Sequence, residues 1–526
     1  METDHPEKER GGRLAYAAAG LFAVAMLPLL ATPVLPLIDF YNHLGRFFVL
    51  SRIGGSQFLQ AHYQAHWTLL PNIGADMLAV PLLYVLPPLI AGHAIIVIIL
   101  AVLYGGVLYF RRALTGEGSL LAALLLVPLL YSYILNWGFA NFLLGLGLAF
   151  WAAGWWLRHR GRPRMAVPVS CVLALLVFFC HGIAFILYGL LLALLETAFF
   201  FQSRQPGAAP RRMGDLVRAL ALLAVQAVLP AAYFLAWKAG VMGGVPVDAL
   251  PAHREPFMTW LARDAFNHLE AILRVEEGPS LWFDIATLVL QAGVIVFLMW
   301  RGRVWLARAV WLAVGVAMLM ALIPIPPMFG MAFIADRLPL FAALLVAGGL
   351  CVRQGAWAGA ERIAAAALIA IICVRLAAIA VSWHGYAQIY REYAAVASRI
   401  PPRQLTIPVN VGEGNHETKI PRSEMFGPLL IIQYEQAGPL FADPNQQPLL
   451  LKGPLKAAMD RLATRPGGRA GIYLDPYRYV TAAAASGFDY MLVANAQLLT
   501  RPLPPELPMV AHTPHFILLR APQARP

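Results

Sequence analysis

Apolar residues in this chain fall into long blocks, and charge collects between them. The blocks run over residues 14–37, 90–110, 120–135 and 139–157, then a pair that turns near Cys180-His181-Gly182. Five more follow at about 216–237, 281–300, 306–325, 339–352 and 363–383. Crossing hydrocarbon takes roughly 20 predominantly apolar residues in a helix, so the pattern predicts about eleven transmembrane helices. A further apolar run is broken by Pro87 and Pro88, which predicts a partial or interfacial helix before the span that begins near residue 90. The first block is longer than a signal-peptide core and lacks a small-residue cleavage site, so it is expected to stay as an uncleaved span.

Beyond residue 384 the pattern changes. Blocks become too short to span, and Pro and polar residues become frequent. Residues 405–409, 429–434, 490–493 and 516–519 predict short strands, and 453–463 and 477–486 predict helices. The expected organisation is therefore an α-helical polytopic membrane domain, residues 1–383, followed by a small α/β extracytoplasmic domain, residues 384–526.

Composition supports the membrane assignment. Of 526 residues 60% are hydrophobic and 13% are Asp, Glu, Lys or Arg, where soluble proteins carry about 25% charged residues. The formal net charge of +12 does not point to nucleic acid, because the basic residues sit in short loops between apolar blocks. Arg111 and Arg112, Arg158 to Arg164, Arg204 with Arg211 and Arg212, Arg301 with Arg303, and Arg353 occupy every second loop. The tight turns of opposite parity, at Asn136 and His181, hold no Lys or Arg. The positive-inside rule then places the Arg loops and the amino terminus in the cytoplasm, next to anionic lipid headgroups. The longer loops 38–76 and 238–280 and the tail are placed outside. Arg46, Arg52, Arg254, Arg263 and Arg274 oppose this count, but they lie in long loops, which weigh less. All four cysteines lie inside apolar blocks, so no disulfide framework is expected.

In hydrocarbon, polar groups persist only where protein or water surrounds them, so ionisable residues at outer span ends carry the chemical interest. The segment Asp39-Phe40-Tyr41-Asn42-His43-Leu44-Gly45-Arg46 follows the first block. As a helix it would bring Asp39, Asn42, His43 and Arg46 to one face. A partly desolvated carboxylate there suits a general base; alternatively, Asp39 is a helix cap and its neighbours are headgroup anchors. The other acid of this loop is Asp76. Arg254, Arg337 and His181, on outer loops or turns, can meet a phosphate, the two guanidinium groups by bidentate contact; each also reads as an anchor or packing residue. Arg375 lies within the last block and snorkels, pairs with another span or contacts phosphate. Asp264 to Leu269 echoes Asp39 to Leu44. The Asp–His spacing would suit a divalent cation, a requirement the sequence leaves open, and chance also produces such an echo.

The architecture, with Asp39 after the first span and a carboxy-terminal outer domain, resembles the GT-C membrane glycosyltransferases of an uncharacterised bacterial type. The stretches Ala335 to Pro339 and Phe441 to Pro448 are similar to segments in such proteins. The resemblance implies a polyprenyl-phosphate sugar as donor and a glycan, lipid or protein as acceptor. It also implies transfer with inversion at the outer face of the bacterial cytoplasmic membrane, with Asp39 as base. The family often has two adjacent acids; here Phe40 follows Asp39. A transporter or lipid flippase, or a non-catalytic envelope-assembly protein, remains the alternative.

The loop parity gives a direct expectation: the two chain ends lie on opposite sides of the membrane. Protease shaving of intact cells should cut a carboxy-terminal tag and spare an amino-terminal one.

Overall fold

The computed structural model describes residues 5–206, 210–238, 269–323, 334–353, 355, 357, 359–412, 425–442, 446–465 and 475–522. Among them, eight helices are long and apolar enough to cross a membrane, the first including the 3₁₀ turn that ends at Ala31. The other three predicted spans are also helical but shorter, at Leu120–Leu129, Arg308–Leu322 and Leu338–Gly349. Gly74–Val85 is the partial helix expected ahead of the proline pair. The chain is thus a helical, multi-pass membrane protein with a small strand-containing carboxy-terminal region.

In chain order the helices are α1 (His5–Ala25), α2 (Phe40–Arg52), α3 (Gln57–His62), α4 (Gly74–Val85), α5 (Pro88–Thr115) and α6 (Leu120–Leu129). Next come α7 (Tyr133–Asn136), α8 (Ala140–His159), α9 (Pro163–Cys180), α10 (Gly182–Gln202) and α11 (Met213–Lys238). After these follow α12 (Leu281–Trp300), α13 (Arg308–Leu322), α14 (Leu338–Gly349) and α15 (Ala360–Ala397). The last three are α16 (Phe426–Tyr434), α17 (Gly453–Thr464) and α18 (Pro476–Ala485). Two compact units divide them: Met1–Pro28, Ile96–Leu135 and Ala140–Ile379 form one, and Leu29–Ile95, Asn136–Phe139 and Ala380–Pro526 the other. The loop 38–76 therefore groups with the carboxy-terminal region.

In the first unit, α5 and α8 approach through Gly106 and Gly147; a Cβ on Gly147 would lie 2.7 Å from the Leu103 backbone nitrogen. Small residues at such a crossing let backbones pack where no water drives association. The Arg loops are tied together at their carboxylates and strands. Glu196 accepts from Arg160 at 2.8 Å and from Arg211 at 3.1 Å, and Arg308 donates to Gln205 at 2.6 Å. Strands β2 (Val304–Leu306) and β3 (Leu350–Val352) pair antiparallel, Arg303 pairs with Glu361 at 2.8 Å, and Arg111 donates to the Leu350 carbonyl. This linkage puts the loops that share parity in the sequence into one connected layer. All four cysteines are free thiols.

In the second unit, α2 buries Phe40, Tyr41, Leu44 and Phe47. The carboxy-terminal sheet has the order β4-β6-β8-β7, from β4 (Thr406–Asn410), β6 (Tyr490–Ala494), β7 (Met509–His512) and β8 (Phe516–Arg520). β4 and β6 are parallel, and the other pairs are antiparallel. Tyr393 near the end of α15 packs its ring 4.9 Å from Phe426 and 5.9 Å from Phe516. The helix α15 runs on past Trp383, where the span was expected to end.

Two expectations fail here. Residues 429–434 are helix, not strand: Phe426 to Ile432 are all buried, and a short apolar run buried on every side does not reveal its period. The first span also stops early. α1 and a 3₁₀ turn end at Ala31, and Pro28, Pro33 and Pro36 prevent a helix from continuing. The linker 32–38 therefore separates the span from Asp39.

The tail is sewn onto the loop 38–76. Strand β1 (Tyr63–Ala65) pairs antiparallel with β5 (Leu449–Leu451), and the Tyr63 hydroxyl donates to the Gly438 carbonyl at 2.7 Å while accepting from the Gly438 amide at 2.9 Å. Gly453 closes the pairing at φ +53°, where a Cβ would strike the Ala61 carbonyl. Left-handed backbone costs a non-glycine residue about 1–2 kcal/mol, and the clash adds to it. Gly453→Ala should therefore lower unfolding stability by at least about 1 kcal/mol and speed hydrogen exchange at the Lys452 and His66 amides.

Candidate functional site

Asp39 occupies the cap position of α2, with φ −84° and ψ −14°, but its side chain caps no amide of the helix. A capping Asp has an extended backbone and a carboxylate turned onto the N2 or N3 amide. The cap reading of Asp39 is therefore not what the fold uses. The residue is half-buried, and its backbone is fixed from another segment. The Asp39 amide donates to the Trp137 carbonyl at 2.9 Å, and the Ile38 amide to that of Asn136 at 3.0 Å. Gly138, at φ +82°, lies so close that a Cβ would meet the Phe40 nitrogen and stand 3.1 Å from that of Asp39. The sequence marks this turn only by Asn136-Trp137-Gly138.

The expected face of α2 splits in two. Asn42 is half-buried like Asp39, whereas His43 and Arg46 are buried. Arg46 engages Asp76, not Asp39: Nε donates to Oδ1 at 2.7 Å and Nη2 to Oδ2 at 2.9 Å, with both side chains fully buried. The remaining arm of Arg46 donates to His43 Nδ1 at 3.0 Å. Burial, then the neighbouring Arg46 charge, holds the His43 pKa well below its ordinary value. The ring is therefore neutral, with its proton on Nε2. Phe441 closes over His43 edge to face at 5.2 Å. Asp76, the other acid of the loop, is thus spent as the partner of Arg46. Asp443 to Asn445, next to Phe441, lie outside the described residues.

In the span unit, two expected phosphate contacts meet. His181 caps α10, its Nδ1 accepting from the Ile183 amide at 3.1 Å, so its Nε2 carries the proton. Its ring stands edge-on to Phe142 at 5.4 Å, and the Arg337 guanidinium lies over the same ring at 5.2 Å. Burial, aided by Arg337, keeps the His181 pKa well below its usual value. Burial also lowers Arg337, to about 10, against the opposing pull of Asp336. An anion arriving at this pair would meet a neutral N–H donor and a desolvated cation. Arg254 and the Asp264 to His268 echo lie outside the described residues. Among the described residues no three His, Cys, Asp or Glu side chains gather as metal ligands.

No family model and no curated protein matches this chain. Two solved structures are similar to it in overall course. One is ArnT from Cupriavidus metallidurans in the apo state, 12% identical, covering 97% of each chain with a TM-score of 0.49. The other is ArnT from the same organism bound to undecaprenyl phosphate, 12% identical, covering 98% of each chain with a TM-score of 0.48.

Arg375 does not snorkel. It is 1% exposed and pairs at 3.2 Å with both Glu276 and Asp284, while Gln291 donates to Glu276 at 2.7 Å. Burial raises the Glu276 pKa, and Arg375 opposes the rise. Asp284, in the first turn of a span, was the sequence signal for this network.

Removing one partner of a buried ion pair costs about 3–5 kcal/mol, whereas replacing both by apolar groups is often nearly neutral. Arg46→Met should therefore destabilise strongly and Arg46→Met with Asp76→Leu much less. Thermal unfolding of the purified variants measures the difference.

Proposed function

We propose that this chain is a GT-C-type membrane glycosyltransferase. It would move a sugar from a polyprenyl-phosphate donor to an acceptor hydroxyl at the outer face of a bacterial cytoplasmic membrane. The observation that carries the reading is Asp39. It stands at a helix start without capping it, keeps solvent contact, and has its backbone fixed by the turn at 136–138. The other acid of that loop, Asp76, is consumed by Arg46.

In the proposed reaction the Asp39 carboxylate takes the proton of the acceptor hydroxyl. The oxygen attacks the anomeric carbon from the side opposite the lipid phosphate. The bond from anomeric carbon to phosphate oxygen breaks, and the lipid phosphate leaves with the electron pair. Phosphate leaves readily, so positioning and charge stabilisation supply much of the acceleration. Asn42 and His43 are assigned to holding the base or the acceptor, and Arg46 to fixing His43. His181 and Arg337 are the proposed partners of the donor phosphate, and Arg254 keeps the assignment its sequence position suggests.

A second reading has one observation in its favour: the buried Arg375–Glu276–Asp284 network. Ionisable residues in membrane spans are rare and mark substrate or ion pathways in transporters. One assay separates the two. Purified protein with labelled polyprenyl-phosphate sugar and mixed acceptors releases lipid phosphate if it is a transferase; lipid translocation in vesicles without release would establish the flippase instead.

A general base contributes typically 10²–10⁴-fold, so Asp39→Asn should lose about that much turnover while still binding donor. Substantial turnover by folded Asp39→Asn would remove Asp39 from the mechanism. Gly138→Ala, by displacing Asp39, should lower kcat more than it raises the donor KM. Arg337→Ala and His181→Ala should mainly raise that KM.

A further inference from the structure

The carboxy-terminal region holds an open cleft of about 670 Å³ that none of the proposed chemistry uses. Its volume falls within the range of roughly 300–1,000 Å³ usual for small-molecule sites. Arg465, Arg478 and Arg501 line it, together with Tyr477 and the wall Pro502-Leu503-Pro504-Pro505. Arg478 and Arg501 belong to segments 23 residues apart, joined at Tyr477. The Tyr477 hydroxyl accepts from the Thr500 amide at 2.9 Å and the Arg501 amide at 2.8 Å. The Arg501 guanidinium lies 4.1 Å over the Tyr477 ring. Arg501 is thus held over the Tyr477 ring, whereas Arg478 is 77% exposed and reaches the Asp475 carboxylate.

Among the described residues, Asp475 is the one carboxylate at ion-pair distance from these arginines. Asp475 stands 3.5 Å from Arg478 and 3.7 Å from Arg501, and its Oδ1 already caps α18 through the Tyr477 and Arg478 amides at 3.1 Å. Arg465 spends one N–H on the Ala485 carbonyl at 2.8 Å. With five N–H donors on each guanidinium, the cleft retains surplus donors and positive charge. It therefore selects an anion, and guanidinium groups fit carboxylate or phosphate in pairs.

The wall says what the anion is attached to. Three of its four residues are proline, which has no backbone N–H. An extended acidic peptide cannot add to it as a strand, because the ladder donors are missing. A single-stranded nucleic acid needs a row of aromatic platforms, whereas here there is one tyrosine with a cation over its ring. A membrane surface calls for an amphipathic face laid on the interface, not a concavity. What remains is a compact molecule with acidic groups on a carbon frame whose C–H faces can lie on proline rings.

We propose that this cleft binds an acidic saccharide, with carboxylate or phosphate held by Arg478 and Arg501 and the sugar faces against the 502–505 wall. The anion preference stands on the cleft alone; the choice of a sugar rests on the transferase reading, where such a saccharide would be acceptor or product.

The test uses the full chain in nanodiscs carrying Asp39→Asn, so that binding is read without turnover. Calorimetry compares trigalacturonate, maltotriose and inorganic phosphate. Trigalacturonate should bind at least tenfold more tightly than either of the others, and weaken at least tenfold in Arg478→Ala with Arg501→Ala. The single variant Arg478→Glu, at a residue 77% exposed, should weaken it too with an unchanged thermal midpoint. Equal binding of the acidic and neutral trisaccharides, equal binding of phosphate, or indifference to Arg478→Glu would overturn the proposal. So would capture by anionic vesicles with no uronide binding. The two readings fail separately: lipid-phosphate release with no uronide binding rejects the cleft alone, and uronide binding with no release rejects the transferase alone.

Discussion

The Arg46–Asp76 pair is the interaction on which the loop 38–76 depends. Both side chains are fully sealed from solvent, where an isolated charge would be strongly disfavoured. Each is therefore tolerable only while the other is in place. The pair joins α2 to α4, and through its third arm Arg46 also sets the tautomer of His43. Such pairs add little net stability compared with apolar replacements. What this one supplies is register, because only one arrangement of the two helices leaves neither charge alone.

The same chemical device recurs in the other unit. His43 and His181 each accept a hydrogen bond at Nδ1, from Arg46 and from the Ile183 amide respectively. Each lies beside a guanidinium that discourages protonation. The outcome in both places is a neutral imidazole with a defined Nε2 donor. Neither histidine has to change its charge to donate from Nε2.

Spans were legible because hydrocarbon demands long apolar runs, and each predicted block contains a helix among the described residues. The common parity of the Arg loops was legible too, and Glu196, Glu361 and the β2–β3 pairing show those loops connected. Other features depend on partners distant in sequence. Nothing near Asp76 announces Arg46 as its partner, 30 residues away. Nothing in residues 429–434 distinguishes a buried helix from a buried strand until Tyr393 and Phe516 pack against Phe426. The prolines at 28, 33 and 36 were visible, and they do account for the early end of the first span. Asp39 was legible as a position, but its departure from capping geometry was not, because the turn that fixes it belongs to residues 136–138.

The pairing of β1 with β5 has a bearing on how the protein is made. Tyr63 and Gly438 stand 375 residues apart. At typical translation rates of 5–20 residues per second, that interval amounts to roughly 20–75 seconds. Throughout it, the loop 38–76 has been synthesised while the strand it needs has not. Its edge amides must stay solvated or chaperoned while most of the spans are inserted. The loop that carries Asp39 is thus synthesised long before it is completed, and a nascent chain cut short before residue 438 would hold the proposed base without its finished surroundings.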